Sequence, residues 1–236
     1  MSRTSRPRRP GAAARRAAQR RRRNIWISVA AGLGLVLAGL AGWGVSQLQR
    51  STGHPVPAQA TGSGLVDGSG PVTVEIWLDL HCPHCRTFET EAGPALAQLV
   101  ADGEITRVYH PVAFLDRFST TGYSTRAAVA IGCAADREGY LPYLSALLAA
   151  QPPPDGPGLS DDQLVQLAGS AGLAWPEFAG CVADQRYEGW VDQVTADASR
   201  VGVNATPTVR VAGQDVAPSV EAISAAVQAA GSGAGS

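Results

Sequence analysis

The feature that most constrains the fold is a pair of cysteines, Cys82 and Cys85, placed between two patterns of different period. The run from Val72 to Leu80 is apolar and rich in β-branched residues, which predicts a buried strand. The residues from Cys82 to about Ala101 follow a helical pattern with an apolar side. The cysteines therefore lie where a strand ends and a helix begins.

This placement affects the chemistry of the first cysteine. A helix N-terminus has unpaired N–H donors and a partial positive charge, and both stabilise an anion. We expect Cys82 to be a thiolate, because such a setting lowers a cysteine pKa from about 8.5 toward roughly 3.5–7.5. Pro83 fits the first helical turn, and His84 is a further donor to the thiolate. Cys85, one turn into the helix, would resolve a mixed disulfide formed on Cys82.

A structural disulfide and half of a zinc site are the alternative explanations of the pair. A zinc site usually needs two further ligands at a second knuckle, and the sequence has no second Cys-x-x-Cys or His-x-x-His pair. His81 and His84 could complete four ligands with the two cysteines, but four ligands within five residues of a tight turn would be strained. The sequence favours redox chemistry, and we predict no metal site and no cofactor.

The segment WLDLHCPHC, followed by a helix and by a distant Thr206-Pro207, resembles the DsbA-like thiol–disulfide oxidoreductases of the thioredoxin superfamily. The resemblance extends from Pro71 to about Ala230. It implies an α/β thioredoxin fold and a role in forming disulfides outside the cytoplasm. It also places Thr206 and Pro207 in a cis-proline loop opposite Cys82, where the backbone would bind an extended substrate. An ordinary trans proline at a strand start is the alternative.

The chain departs from this family at an acidic position. The family often carries an acid six residues before the first cysteine, on the buried strand face. Here that position is Ile76, and Glu75 lies on the opposite face by strand alternation. Asp79, near the strand end, is a weaker substitute.

Residues 119–187 contain almost nothing strand-like, and four helical patterns cover most of this block. Ser160 is predicted to cap the third pattern. The resemblance implies that such a block is a helical subdomain inserted between the two halves of a thioredoxin fold, above the active site. We therefore predict one thioredoxin-fold domain over residues 71–230 and a disordered tail over residues 231–236.

The remaining two cysteines, Cys133 and Cys181, lie on two different predicted helices of this block. The total of four cysteines is even, which fits a protein of an oxidising compartment. We predict a structural disulfide between Cys133 and Cys181. Two free buried thiols are the alternative.

Charge is distributed very unevenly along the chain. Ten of the 19 arginines lie between Arg3 and Arg23, where no acidic residue is found. From residue 51 onward, 8 arginines face 20 acidic residues, so this part carries a net charge of 8 − 20 = −12. An acidic domain argues against nucleic acid as a partner. The position of the arginines before an apolar run indicates a membrane-topology signal.

The apolar run from Ile25 to Val45 has 21 residues, which would span about 31 Å as a helix and match a bilayer core of roughly 30 Å. It is longer than the h-region of a cleavable signal. We predict a basic cytoplasmic tail over residues 1–23, a transmembrane signal anchor over residues 24–46 and a flexible linker over residues 47–70. The arginines would keep the N-terminus inside, so the catalytic domain of this single-pass cell-membrane protein would be extracytoplasmic.

The leading functional hypothesis is an oxidase that donates a Cys82–Cys85 disulfide to exported proteins with free thiols. A quinone-linked membrane oxidase of the VKOR or DsbB type would reoxidise the pair, as the resemblance suggests. A disulfide reductase or isomerase would use the same residues in the opposite direction. A metal-binding module that uses Cys82, Cys85 and His84 is the third hypothesis.

Overall fold

The protein is described by a computed structural model that covers residues 53–173 and 175–233. The predicted basic tail and signal anchor, together with residues 47–52 of the predicted linker, lie outside the described residues. Among the helices that the structure describes, none has the length and apolar character needed to cross a membrane.

The described residues form a mixed α/β fold with six strands and seven helices. The strands are β1 (Ala60–Thr61), β2 (Gly64–Gly68), β3 (Val72–Leu78), β4 (Ile105–Pro111), β5 (Thr208–Val211) and β6 (Gln214–Val216). The helices are α1 (Pro83–Ala101), α2 (Tyr123–Ala134), α3 (Tyr140–Ala149), α4 (Asp161–Ser170), α5 (Pro176–Ala183), α6 (Glu188–Arg200) and α7 (Val220–Gly233). A short 3₁₀ turn covers Asp116–Phe118.

The strands make one sheet in the order β1-β2-β4-β3-β5-β6. Strand β3 lies in the middle, parallel to β4 and antiparallel to β5. A parallel pair needs a crossover, and α1 supplies it between β3 and β4. Val74, Ile76 and Leu78 alternate toward one buried face of β3; α7 packs on β3, and α1 packs on the neighbouring β4.

Strand β3 ends two residues earlier than its apolar pattern predicts. The backbone turns at Asp79, which accepts the Cys82 N–H through its carbonyl oxygen at 3.0 Å and the His81 N–H through its carboxylate at 2.9 Å. This turn brings Cys82 to the N-cap of α1 and makes Pro83 the first helical residue.

The predicted flexible linker over residues 47–70 is wrong for residues 60–68, which form β1 and β2. Leu65 lies opposite Tyr109 on β4 and is fully buried. Asp67 lies opposite Arg107 and makes an ion pair of 2.6 Å with it. Each of these contacts joins residues about 40 positions apart, so the local composition, rich in Gly, Ser and Thr, does not indicate them.

The predicted disordered tail over residues 231–236 is also wrong at its start, because α7 continues to Gly233. Ser232 donates its hydroxyl to the Gln228 carbonyl at 2.8 Å, which is a contact within the helix. Residues 234–236 lie outside the described residues.

The block over residues 119–187 contains four helices and no strand in its described residues. Helix α2 is its centre and packs against α3, α5 and α6. A disulfide of 2.02 Å between Cys133 and Cys181 joins α2 to α5. Ser160 caps α4 and accepts the Gln163 N–H, in a capping box.

Candidate redox site

The candidate site is the loop from Asp79 to Cys82 together with the first turn of α1. Cys82 is the N-cap residue of α1, and Cys85 lies one turn into the helix. Both are free thiols and both are buried, but Cys82 is 5% exposed whereas Cys85 is not exposed at all. Pro83 and His84, between them, are exposed. The structure therefore offers an approaching reactant the sulfur of Cys82 rather than that of Cys85.

The surroundings of Cys82 favour its thiolate. A hydrogen bond from the Cys85 thiol makes the largest contribution, and it lowers the pKa of Cys82 to about 5 against the opposing effect of burial. The Thr206 side chain and the N–H groups of Cys85 and His84 act in the same direction. His84 thus contributes through its backbone, whereas the sequence suggested its imidazole.

Cys85 has the opposite character. Burial is the main cause that raises its pKa far above the ordinary thiol value, and the neighbouring Cys82 adds to this effect. Cys85 therefore keeps its proton and donates it toward the Cys82 sulfur. The pair is polarised, with a nucleophile or leaving group at Cys82 and a thiol at Cys85.

The loop predicted to bind substrate lies against the first cysteine. The peptide bond between Thr206 and Pro207 is cis, and Cys82 Sγ lies 3.3 Å from the Thr206 carbonyl oxygen. Strand β5 begins at the next residue, Thr208. The structure thus brings together Cys82, Cys85, Thr206 and Pro207, although Cys82 and Thr206 are 124 residues apart in the sequence.

A groove of about 720 Å³ opens beside Cys82. Its apolar walls include Phe114, Leu115 and Phe118, from the segment that follows β4. Phe118 is 42% exposed, which is high for an aromatic side chain. The groove is large enough for several side chains of an extended peptide.

Asp79 is the residue that sequence reasoning undervalued. It is completely buried, and its carboxylate accepts the Ser124 hydroxyl at 2.7 Å, the His81 N–H at 2.9 Å and the Leu115 N–H at 2.9 Å. Burial raises its pKa to about 6 although these hydrogen bonds act against it. The negative charge of the Cys82 thiolate also raises the Asp79 pKa, so the two groups are electrostatically coupled.

The other two positions considered for an acid are not at the site. Ile76 is a fully buried core residue. Glu75 is on the opposite face of β3, where its Oε1 lies 3.3 Å from His110 Nε2. The hydrogen bond with His110 is the main cause that lowers the Glu75 pKa.

The side chain of His81 bonds the inserted block. Its Nε2 donates to the Pro153 carbonyl at 3.3 Å, and its ring contacts Tyr123 edge-on at 5.3 Å between centroids. In the part of the chain that the structure describes, no group of three or more His, Cys, Asp or Glu side chains is arranged to hold a metal ion.

These features define a class of protein. A thiolate at a helix N-terminus, a protonated cysteine one turn behind it and a facing cis-proline loop permit two successive thiol–disulfide exchanges on one sheet edge. The class is that of thioredoxin-fold dithiol proteins.

Comparison with known proteins agrees with this class. The family model described as Thioredoxin matches residues 67–229. The chain belongs to the thioredoxin family. The structure of the disulfide bond oxidoreductase DsbG of Mycobacterium tuberculosis is similar, with 32% identity, a TM-score of 0.58, and 66% of this chain and 81% of that chain covered. DsbA of the same organism has 29% identity and a TM-score of 0.59, with 72% and 100% covered.

More distant structures share the fold alone. BdbD of Bacillus subtilis has 20% identity and a TM-score of 0.64, with 75% of this chain and 98% of that chain covered. Among curated proteins, the serine/threonine-protein kinase PknE of Mycobacterium tuberculosis is 30% identical over 164 residues, which are 65% of this chain but 29% of the kinase. The chain thus spans less than a third of that relative. Its own cysteine pair and its similarity to DsbG and DsbA make it a thiol–disulfide oxidoreductase of the DsbA type.

Proposed function

We propose that this oxidoreductase works as an extracytoplasmic oxidase, which donates a Cys82–Cys85 disulfide to the thiols of exported proteins. The observation that carries the proposal is the polarity of the pair. The pKa of Cys82 is lowered to about 5, whereas that of Cys85 is raised. A stabilised thiolate favours the reduced dithiol over the disulfide, and this makes the disulfide a strong oxidant.

The reaction would take place in two exchanges. A substrate thiolate attacks Cys82 Sγ, the Cys82–Cys85 bond breaks, and Cys85 leaves and takes a proton, as its raised pKa requires. A second substrate thiolate then attacks the substrate sulfur of the mixed disulfide. Cys82 leaves as a thiolate, which its low pKa makes easy. The substrate loses two electrons, and the dithiol of Cys82 and Cys85 gains them.

The substrate would bind as an extended segment along Thr206 and the neighbouring groove. The carbonyl of Thr206 lies beside Cys82 Sγ, so a backbone N–H of the substrate could pair with it while the substrate sulfur reaches Cys82. Phe114, Leu115 and Phe118 offer apolar surface to the flanking side chains. This geometry favours unfolded or partly folded thiol proteins as substrates.

The proposed location is supported by two separate features of the chain. The arginines of residues 3–23 precede the apolar run Ile25–Val45, a pattern typical of an anchor with its N-terminus in the cytoplasm. The Cys133–Cys181 disulfide fits an oxidising compartment. Turnover there requires an oxidant for the reduced pair, and we propose a quinone-linked membrane oxidase of the VKOR or DsbB type.

The reduction potential of the Cys82–Cys85 pair in the full chain tests whether the protein acts as an oxidase or as a reductase. The protein would be equilibrated in glutathione buffers, trapped with an alkylating reagent and read by mass spectrometry at Cys82 and Cys85. Reading these sites separately keeps Cys133 and Cys181 out of the result. A potential near −120 mV, roughly the value of strong oxidants, supports the oxidase, and a value at or below about −270 mV indicates a reductase.

The test of location is independent of the potential. A reporter fused before Arg3 should remain protected from protease in intact cells, while residues of the thioredoxin-fold domain should be cleaved or labelled from outside. The reverse pattern would contradict the proposed orientation.

A further inference from the structure

The inserted helical block contacts the redox loop through the side-chain amide of Gln151, which takes no part in the two thiol–disulfide exchanges. Gln151 follows the C-cap residue of α3 and precedes the run Pro152–Pro154. Its Nε2 donates to the Leu80 carbonyl at 2.8 Å and to the Cys82 carbonyl at 3.0 Å. One amide group therefore joins two carbonyls of the loop, about 70 residues away in sequence.

The Leu80 carbonyl depends on Gln151 for its hydrogen bond. Leu80 is buried, and within the described residues its carbonyl oxygen accepts a hydrogen bond from Gln151 alone. A buried carbonyl without a donor is costly, because the water it bonds in the unfolded chain is not replaced. Gln151 thus holds the loop in the conformation that presents this carbonyl to the inserted block.

The second carbonyl belongs to the nucleophile itself. The Cys82 carbonyl also accepts the N–H groups of Cys85 at 3.0 Å and Arg86 at 3.3 Å, which are the first bonds of α1. Pro83 has no N–H, so the peptide unit between Cys82 and Pro83 has only its carbonyl through which a hydrogen bond can fix its orientation. Gln151 fixes that carbonyl from the side of the inserted block.

We infer that Gln151 is a positioning residue for thiol–disulfide exchange, which holds the Leu80 and Cys82 carbonyls and so aims the first N–H groups of α1 at the Cys82 sulfur. The inference deepens the proposed function and rests on it in one respect, the use of Cys82 as the reacting sulfur. Gln151 acts through the backbone of the loop and does not act by contacting the substrate.

Other contacts between the block and the loop do not replace this one. Ser124 bonds the Asp79 carboxylate, and the Pro153 carbonyl accepts from His81 Nε2. The titratable and charged groups near Cys82 come from several elements: His81, His84, Arg117 and Asp155 line the same groove, and the buried Asp79 is coupled to the charge of Cys82. A neutral substitution of Gln151 leaves all of these charges in place.

The experiment measures the pH profile of Cys82 alkylation by iodoacetamide in the full reduced chain, read at Cys82 by mass spectrometry. In Gln151→Ala the midpoint should rise by about half a unit to one unit, roughly a three- to tenfold change in the ratio of thiol to thiolate. Both bonds from the Gln151 amide to the loop are lost, and the expected loss of thiolate stabilisation is about that of one hydrogen bond of ordinary strength. Gln151→Met keeps the length of the side chain and adds no charge, but it cannot donate a hydrogen bond, and its midpoint should rise about as far.

The matched control is Gln98→Ala. Gln98 is an exposed residue of α1 whose Nε2 donates to Asp102 at 2.9 Å, far along the helix from Cys82. Its substitution removes a similar amide contact and should leave the midpoint of Cys82 unchanged. Thermal unfolding of every variant shows whether it is folded at the temperature of the assay.

The possible failures are distinguishable. If Gln151→Ala or Gln151→Met folds, melts at a lower temperature and keeps the wild-type midpoint, Gln151 is only structural and the inference is overturned. If Gln151→Ala does not fold, the result with Gln151→Met decides. If the wild-type midpoint itself is near the ordinary value of a free thiol, about 8.5, the proposed oxidase loses its basis, whatever the variants do.

Discussion

The replacement Asp79→Asn tests how a buried carboxylate beside the redox pair affects folding and chemistry. The pKa of Asp79 is raised from 3.8 to about 6 by burial. The folded protein therefore binds more protons than the unfolded chain between these two pH values. The contribution of Asp79 to stability is therefore greatest below the unfolded pKa and is lost as the pH rises through the folded pKa.

The expected magnitude follows from the size of this pKa difference. Each pKa unit corresponds to about 1.36 kcal/mol, so a rise from 3.8 to about 6 corresponds to about 3 kcal/mol of stability lost between about pH 4 and pH 7. The amide introduced by the substitution does not titrate in this range. We expect the free energy of unfolding of Asp79→Asn, relative to wild type, to increase by about 3 kcal/mol over the same range.

The substitution also changes the free energy of unfolding by an amount that does not depend on pH. Asp79 accepts three hydrogen bonds, and an amide in its place turns one acceptor into a donor, most simply the oxygen that faces the Leu115 N–H. An unsatisfied buried donor costs about 1–3 kcal/mol at every pH. This cost shifts the whole curve and leaves its dependence on pH unchanged, so the change between pH 4 and pH 7 is the quantity to compare.

The assay is equilibrium chemical unfolding of both proteins at several pH values from about 4 to 8. Asp162→Asn, an exposed acid in the first turn of α4, is the control and should follow the wild-type curve closely. Parallel curves for wild type and Asp79→Asn would refute the reasoning. The chemistry gives a second check, because loss of the negative charge at Asp79 should lower the pKa of Cys82, with which it is coupled.

Three further substitutions test other parts of the site and its support. The double variant Cys133→Ala/Cys181→Ala removes a bridge between residues 48 positions apart and should lower the free energy of unfolding by about 4 kcal/mol, measured by chemical denaturation, while the pKa of Cys82 stays as it is. Cys85→Ala removes the hydrogen bond that contributes most to the low Cys82 pKa, so the alkylation midpoint of Cys82 should rise. Mixed with a disulfide-bonded substrate, the Cys82 thiolate of the same variant should attack that disulfide, and the mixed disulfide should accumulate on non-reducing gels because no Cys85 thiol is present to attack the Cys82 sulfur and release the substrate thiol. Its absence would contradict this role of Cys85, which is the reverse of the first exchange. Thr206→Val removes a side-chain hydrogen bond and should raise the Cys82 midpoint by less than Cys85→Ala does; an equal or larger rise would reverse the order of the two contributions.

Several of the strands and helices can be predicted from local sequence patterns. The apolar run that begins at Val72 and the helix that ends at Ala101 are predicted within two residues, because their periods differ clearly and Pro83 marks the helix start. Ser160 caps its helix as its side chain suggests. The placement of Cys82 and Cys85 at the junction also follows from local sequence.

Other elements depend on partners that are far away in the chain. Strands β1 and β2 contain few strand-forming residues. Strand β2 is held by β4, with which Leu65 and Asp67 pair, and β1 is held by β2. Composition alone predicts a flexible linker there, because Gly and Ser in this stretch have no local reason to be extended. The sheet edge supplies that reason only once β4 is in place.

The sequence by itself determined which atoms can react: a Cys-Pro-His-Cys segment at the start of a helix, with a second cysteine pair in a separate helical block. The tertiary structure alone decided how readily they react. The inserted block covers Asp79 and bonds it through Ser124, and it holds the redox loop through Gln151. Thr206, 124 residues away in the sequence, lies beside Cys82. The physical reason is that pKa values and buried hydrogen bonds depend on what surrounds a group, and that is fixed only when distant segments pack together.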